Sequence, residues 1–249
     1  MQKKILLIFT VFLILTSCNS KLEKKELIIA VAANMQYAIK EIGEEFSKET
    51  NIPLQYTISS SGKLTAQISS GAPYGIFISA NRKYPETLKK ENKIIGDIQS
   101  FAFGKLILWT KYEKIQPSLE ILKNPQIQKI ALANPKTAPY GEAAKEVLKK
   151  LHLFSELKDK LVYGESIAQT NQFIDTKAAT IGFTSNSTLK IPNKKEIGNS
   201  FIIPENLYKP IEQTVVVLKG NQAKEAKQFY QFLSSKKAKE ILKKNGYNI

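Results

Sequence analysis

The sequence predicts an α/β protein built as two lobes. Three observations point there. Apolar strand-like runs alternate along the chain with stretches whose apolar residues recur at helical spacing, the length is 249 residues, and 43% of them are hydrophobic against 24% charged. Alternation of this kind gives mostly parallel sheets whose strands are buried on both faces. The length suits one large domain or two of roughly 100–130 residues, each able to bury its own core, and the composition lies far from that of disordered chains.

Residues 27–33 (LIIAVAA) are a continuous apolar run, hence a buried strand. Met35, Ala38, Ile39, Ile42 and Phe46 then recur at helical spacing up to the polar Lys48-Glu49-Thr50-Asn51. Residues 54–58 form a second strand, Ser59-Ser60-Ser61-Gly62 a turn, and Leu64 with Ile68 one side of a short helix ending near Gly71. Further strands are expected at 76–78, 103–109, 130–133, 161–163, 181–184 and 215–218, with helices at 141–151 and 167–175. Ala226, Phe229, Tyr230 and Leu233 place one long helix over 222–242.

The N-terminus reads as an address. Lys3 and Lys4 precede an apolar stretch over 5–15, broken only by Thr10, which is too short to span a membrane and the right length for a secretory signal. Leu15-Thr16-Ser17-Cys18 follows and resembles the bacterial lipobox. The resemblance implies a lipoprotein signal peptide over 1–17, acylation of Cys18 and a tether over 18–25. Several acyl chains would hold the chain to a membrane, in the periplasm or on the cell surface, where a single chain would not. The plainer alternative is a buried cysteine that happens to follow an apolar run.

One Cys and one His exclude a structural zinc site and an intrachain disulfide. The formal charge of +15, two units of which leave with Lys3 and Lys4, is spread over dispersed lysines such as Lys123, Lys129, Lys149-Lys150 and Lys194-Lys195; Arg82 is the sole arginine. Without an arginine stripe or interleaved aromatics this is a solvated surface rather than a nucleic-acid face.

Ligands of parallel sheets collect where strands run into helices. Those loops read Ala32-Ala33-Asn34, Ser59-Ser60-Ser61-Gly62, Ala138-Pro139-Tyr140-Gly141 and Gly164-Glu165-Ser166-Ile167. Each serine or asparagine can simply cap its helix. Taken together, four positive helix ends with small neutral donors suit an anion. Enzymatic readings are weaker. Ser60-Ser61-Gly62-Lys63 satisfies S-x-x-K, but its companion motifs S-D-N and K-T-G are absent. Gly62-Lys63-Leu64 lacks the rest of a P-loop, and His152 follows a predicted helix as a surface residue, so a serine–histidine triad is not expected.

The strand–loop Ala30-Val31-Ala32-Ala33-Asn34, the turn at Ser60–Leu64, Gly71-Ala72-Pro73 with Phe77-Ile78-Ser79-Ala80, the stretch from Asn134-Pro135 through Pro139-Tyr140-Gly141 to Leu148, and Ile181-Gly182-Phe183 resemble, in order and spacing, the molybdate-binding proteins of ABC importers. The resemblance implies a type II periplasmic-binding-protein fold with two crossovers, near 103–106 and 211–214. Lobe 1 would span 26–103 and 214–249, and lobe 2 would span 104–213. It implies no catalysis and no cofactor; the ligand would be molybdate or tungstate, handed to an ABC permease by a monomer. Asn34 stands where many members have Ser or Thr, Ser61 is the turn serine with Ser60 beside it, and Tyr140 and Ile167 correspond to positions that give backbone N–H groups. A tyrosine usual in the last loop is absent, leaving Ser185 as a weaker candidate. Gly75 stands where an aspartate is usual, which is expected to loosen the lobe locally. Sulfate or phosphate binding, and a surface lipoprotein that binds a protein partner, are the alternatives.

Overall fold

A computed structural model describes residues 26–190 and 197–249. The expected signal peptide over 1–17, Cys18 and the expected tether lie outside these residues, as does the Lys194-Lys195 pair. The first sheet holds β1 (Leu27–Ala32), β2 (Leu54–Ser59), β3 (Ile76–Ser79), β4 (Ile94–Gly104) and β10 (Ile211–Leu218), in the order β2-β1-β3-β10-β4. The second holds β5 (Leu106–Thr110), β6 (Ile130–Ala133), β7 (Leu161–Gly164), β8 (Ile181–Ser185) and β9 (Asn199–Ile202), in the order β7-β6-β8-β5-β9. These are the two lobes of the type II periplasmic-binding-protein fold.

Both sheets are mixed, which corrects the expectation of mostly parallel ones. β1 is parallel to β2 and β3, whereas β10 runs antiparallel to β3 and β4; in the second sheet β6 is parallel to β7 and β8, and β5 is antiparallel to β8 and β9. The antiparallel strands are those next to the crossovers, where the chain turns back toward the other lobe.

Packing explains the elements. Leu27, Ile29 and Val31 of β1 face α1 (Gln36–Thr50), α6 (Ala223–Phe232) and α7 (Lys236–Lys244), where Ile39, Ile42, Phe46, Phe229 and Leu242 complete one core. Ala30, Phe77 and Val216 face α2 (Ser61–Ser69) and α3 (Lys83–Lys90). The second sheet is covered by α4 (Pro139–Lys150) through Ala144, Val147 and Leu148, and on its other face by Ile174 of α5 (Ile167–Asp175). Asn51, in the left-handed region at φ 55, ends α1, a conformation Asn tolerates.

Several elements differ from the sequence reading. The apolar run 103–109 is the end of β4 and most of β5, two strands of different sheets separated by Lys105. The helix expected over 222–242 is two, α6 and α7, because Ser235 starts a new one with its side chain accepting from the Ala238 N–H. α3, β9 and the part of β4 before residue 103 had no counterpart in the expectation. Gly75 is closely packed. Gln222 fills the space, its Oε1 accepting the Ile28 N–H at 2.9 Å, and a Cβ at Gly75 would lie 2.5 Å from Leu27 Cδ1 and 2.8 Å from Gln222 Oε1.

The two crossovers lie side by side, since Ile211 pairs with Gly104. β10 therefore joins the first sheet from Ile211 onward. The C-terminal Asn248 exchanges two backbone hydrogen bonds with Phe103, at 2.8 and 2.9 Å, so the chain end is fastened to the same hinge.

Candidate anion-binding site

Four helix beginnings meet between the lobes: the 3-10 turn Ala33–Met35 that leads into α1, and the starts of α2, α4 and α5. The Gly62 N–H donates to the Thr137 carbonyl at 2.9 Å, which joins the α2 start to the loop before α4. Lys63 pairs with Glu165, which brings α2 to the loop before α5. The Ser187 hydroxyl donates to the Asn34 carbonyl at 2.8 Å and contacts Ser185 Oγ, which donates to the Tyr140 hydroxyl at 2.9 Å. First-turn N–H groups have no intrahelical acceptor and carry the positive end of the helix dipole. Four such ends facing one space make a place for negative charge.

Each predicted residue has a distinct position. Ser61 is fully buried, and its Oγ accepts the Ala80 N–H at 3.1 Å. A hydroxyl can accept and donate at once, so its proton stays available. Ser60 is the N-cap of α2 in extended backbone, the arrangement of a capping serine, yet it makes no cap hydrogen bond and its buried Oγ has no protein partner. Tyr140 is the second residue of α4, directly after Pro139, so its N–H is a first-turn donor without an intrahelical acceptor. Ile167 opens α5 and is buried, while Ser166 before it does cap, accepting from the Gln169 N–H.

Two residues are engaged within the protein. The Asn34 side-chain amide donates to Gln213 Oε1 at 2.8 Å and to the Tyr247 hydroxyl at 3.3 Å, so Asn34 offers the cleft its place on the first turn rather than its side chain. Ser185 donates to Tyr140 and accepts from the Ser187 N–H, a hinge role rather than an open donor. The sequence reading missed three residues. Tyr247 donates to the Asn34 carbonyl at 2.7 Å, Ser187 lies beside it, and Thr137 carries a buried Oγ1 with no partner. A hydroxyl residue in a loop two positions before a helix-starting proline was the available signal for Thr137.

The lining is neutral. Lys63 faces Glu165 and Lys136 is exposed. Burial, and then the nearby Tyr247, push the Tyr140 hydroxyl well above its ordinary pKa; burial pushes Tyr247 up to about 12 against the pull of its bonds to Ser187, Asn34 and Ser185. Both stay protonated donors at neutral pH. Orphaned buried hydroxyls such as those of Ser60 and Thr137 cost about 1–3 kcal/mol each, and an anion between the lobes would supply acceptors to both.

The sequence pattern shared by the family described as bacterial extracellular solute-binding protein matches residues 27–248. The chain belongs to that family. Among solute-binding proteins it is 39% identical over 225 residues to the molybdate-binding protein ModA of Rhodobacter capsulatus, covering 89% of this chain and 88% of that one. It is 30% identical over 247 residues to the putative ABC transporter substrate-binding lipoprotein YvgL of Bacillus subtilis, covering 96% and 94%. The periplasmic molybdate-binding protein of Azotobacter vinelandii superposes with a TM-score of 0.85 at 32% identity, covering 90% of this chain and 99% of that one. Membership places the protein among binding proteins rather than enzymes. The structure agrees with that on the one residue a triad would need: His152 is exposed, at φ 57, just beyond α4.

Proposed function

We propose that this solute-binding protein captures molybdate, and tungstate with it, between its lobes and presents it to the membrane permease of an ABC importer. The observation that carries the reading is the convergence of four helix beginnings from both lobes beside the buried Ser60 and Thr137 hydroxyls, which have no protein partner. The ModA relatives supply the identity of the anion. A dianion entering such a space loses its hydration, and only a full set of hydrogen bonds offsets that loss. Neutral donors leave the complex reversible, which delivery requires. Since oxyanions of this class share charge and shape, selection falls to cavity size; molybdate and tungstate are nearly the same size and sulfate is smaller. Closure of the lobes around the anion is the shape a permease would recognise.

Calorimetry and thermal unfolding test this. Molybdate at 100 times its dissociation constant is expected to raise the unfolding free energy by about 2.7 kcal/mol, with tungstate close behind and sulfate well below. Equal shifts for sulfate and molybdate would refute selection by size, and a preference for phosphate would move the assignment to that anion.

The lipobox-like Leu15-Thr16-Ser17-Cys18 and the likeness to a substrate-binding lipoprotein support anchoring through acylated Cys18. Replacing Cys18 by Ala is expected to move the protein from the membrane pellet to the soluble fraction, and a variant that stays in the pellet would argue against acylation. We take the working form to be a monomer, with lobe 1 carrying the N-terminal tether.

A further inference from the structure

We infer that Gly62 sets how closely the two lobes approach and so how long the bound anion is held. The inference rests on the binding reading above. Gly62 is the second residue of α2, and its φ lies outside the left-handed region, so its own backbone does not require glycine. A glycine inside a helix is less favourable than alanine. The reason for it lies across the cleft. A Cβ at this position would stand 3.0 Å from both the Cα and the carbonyl oxygen of Thr137, and 2.9 Å from the Tyr84 hydroxyl. Tyr84 can swing its tip aside. Thr137 cannot, because the contact is with backbone, and its loop is pinned by the Asn134 carbonyl, which accepts the Thr137 and Ala138 N–H groups at 3.1 and 2.9 Å.

The same close approach allows the Gly62 N–H to reach the Thr137 carbonyl at 2.9 Å, a direct backbone hydrogen bond between the lobes. Two further contacts cross the cleft beside it: the Tyr84 hydroxyl donates to the Lys136 carbonyl at 3.3 Å, and Lys63 meets Glu165. The turn before α2 thus works as the latch of the closed form. A methyl group at Gly62 would be harmless with the lobes apart. With the lobes together it would act as a wedge of a few tenths of an ångström, enough to stretch donors aimed at one small anion. Because the penalty falls on the closed form, it is expected in the dissociation rate more than in the association rate.

The test compares wild type with Gly62→Ala and Gly62→Val, using molybdate. Affinity is read by calorimetry, dissociation by stopped-flow fluorescence or ligand competition, and stability by unfolding in the absence of anion. Gly62→Ala is expected to bind about tenfold more weakly, mostly through faster release, while its ligand-free stability is equal to wild type or higher. Gly62→Val is expected to lose more affinity than Gly62→Ala. A Gly62→Ala protein with wild-type affinity and release overturns the inference, and so does one whose ligand-free stability falls in step with its affinity, since glycine would then serve the lobe itself. A wild type that binds no molybdate overturns the binding reading and the inference with it, whereas a binding wild type with an equally tight Gly62→Ala overturns the inference alone.

Discussion

Ser60 and Ser235 stand at the same position of their helices with nearly the same backbone, φ −72 and ψ 150 against φ −65 and ψ 155. Ser235, on the outer helix α7, does what such a serine ordinarily does and accepts the Ala238 N–H at 3.1 Å. Ser60 faces the other lobe, makes no cap and keeps a buried hydroxyl without a protein partner. Local chemistry is the same at both sites, so the difference comes from what lies opposite. At α7 the helix end is satisfied from within its own lobe. At α2 the Gly62 N–H is taken by the Thr137 carbonyl of the second lobe, while Ser60 leaves the other first-turn N–H groups uncapped where that lobe covers them, and a covered helix end with free donors is the physical form of an anion site.

The largest expected effect on this contrast is at Ser61, one residue further into α2. Ser61→Ala removes a fully buried hydroxyl that accepts from the Ala80 N–H and, on the proposed reading, donates its proton to the ligand. The loss of molybdate affinity is expected to be about 1–3 kcal/mol by calorimetry. Unchanged affinity would take Ser61 out of the site and leave the open helix end without its best donor.

Next in size is the pair that gives the contrast directly. Ser60→Ala is expected to weaken molybdate binding by about 1 kcal/mol while leaving ligand-free stability unchanged or slightly raised, because it deletes an orphaned polar atom. Ser235→Ala is expected to do the reverse, lowering stability by about 1 kcal/mol through the lost cap and leaving affinity as it was. Parallel unfolding and binding measurements on the two variants decide the matter. If Ser60→Ala behaves like Ser235→Ala, its hydroxyl is an ordinary cap.

The contrast also shows what a sequence can reveal. β1, β6 and β8 were legible because strands buried on both faces are unbroken apolar runs, and α1, α4 and α5 because their apolar residues keep one helical stripe. β4 was not. It pairs through a single neighbour, β10, with register shifts, and its residues alternate irregularly between buried and exposed. The change of sheet at Lys105 was hidden because apolar residues continue on both sides of it. At the site, the helix beginnings at Asn34, Ser61, Tyr140 and Ile167 were readable from strand–loop–helix order. The direction of the Asn34 side chain was not, since its partners Gln213 and Tyr247 lie far along the chain. Thr137 was missed for a related reason: a hydroxyl is orphaned only relative to the lobe that closes over it.

The smallest expected effect tests whether the cage is neutral. Lys63 is the charged group nearest the open end of α2, but it is directed at Glu165 and both side chains are well exposed. An exposed pair of this kind contributes about 0.2–1 kcal/mol, and what it contributes here acts on lobe closure rather than on the anion. Lys63→Met is therefore expected to weaken molybdate binding only about twofold to threefold at low ionic strength, with the difference fading as salt screens the pair. Titrations of both proteins at low and high salt, with chloride as the added anion, measure it. A loss beyond tenfold that persists at high salt would mean that the ammonium group touches the dianion in the closed form. The contrast between open and capped helix ends would then be secondary to a buried charge pair, and reversible release would need a different physical explanation.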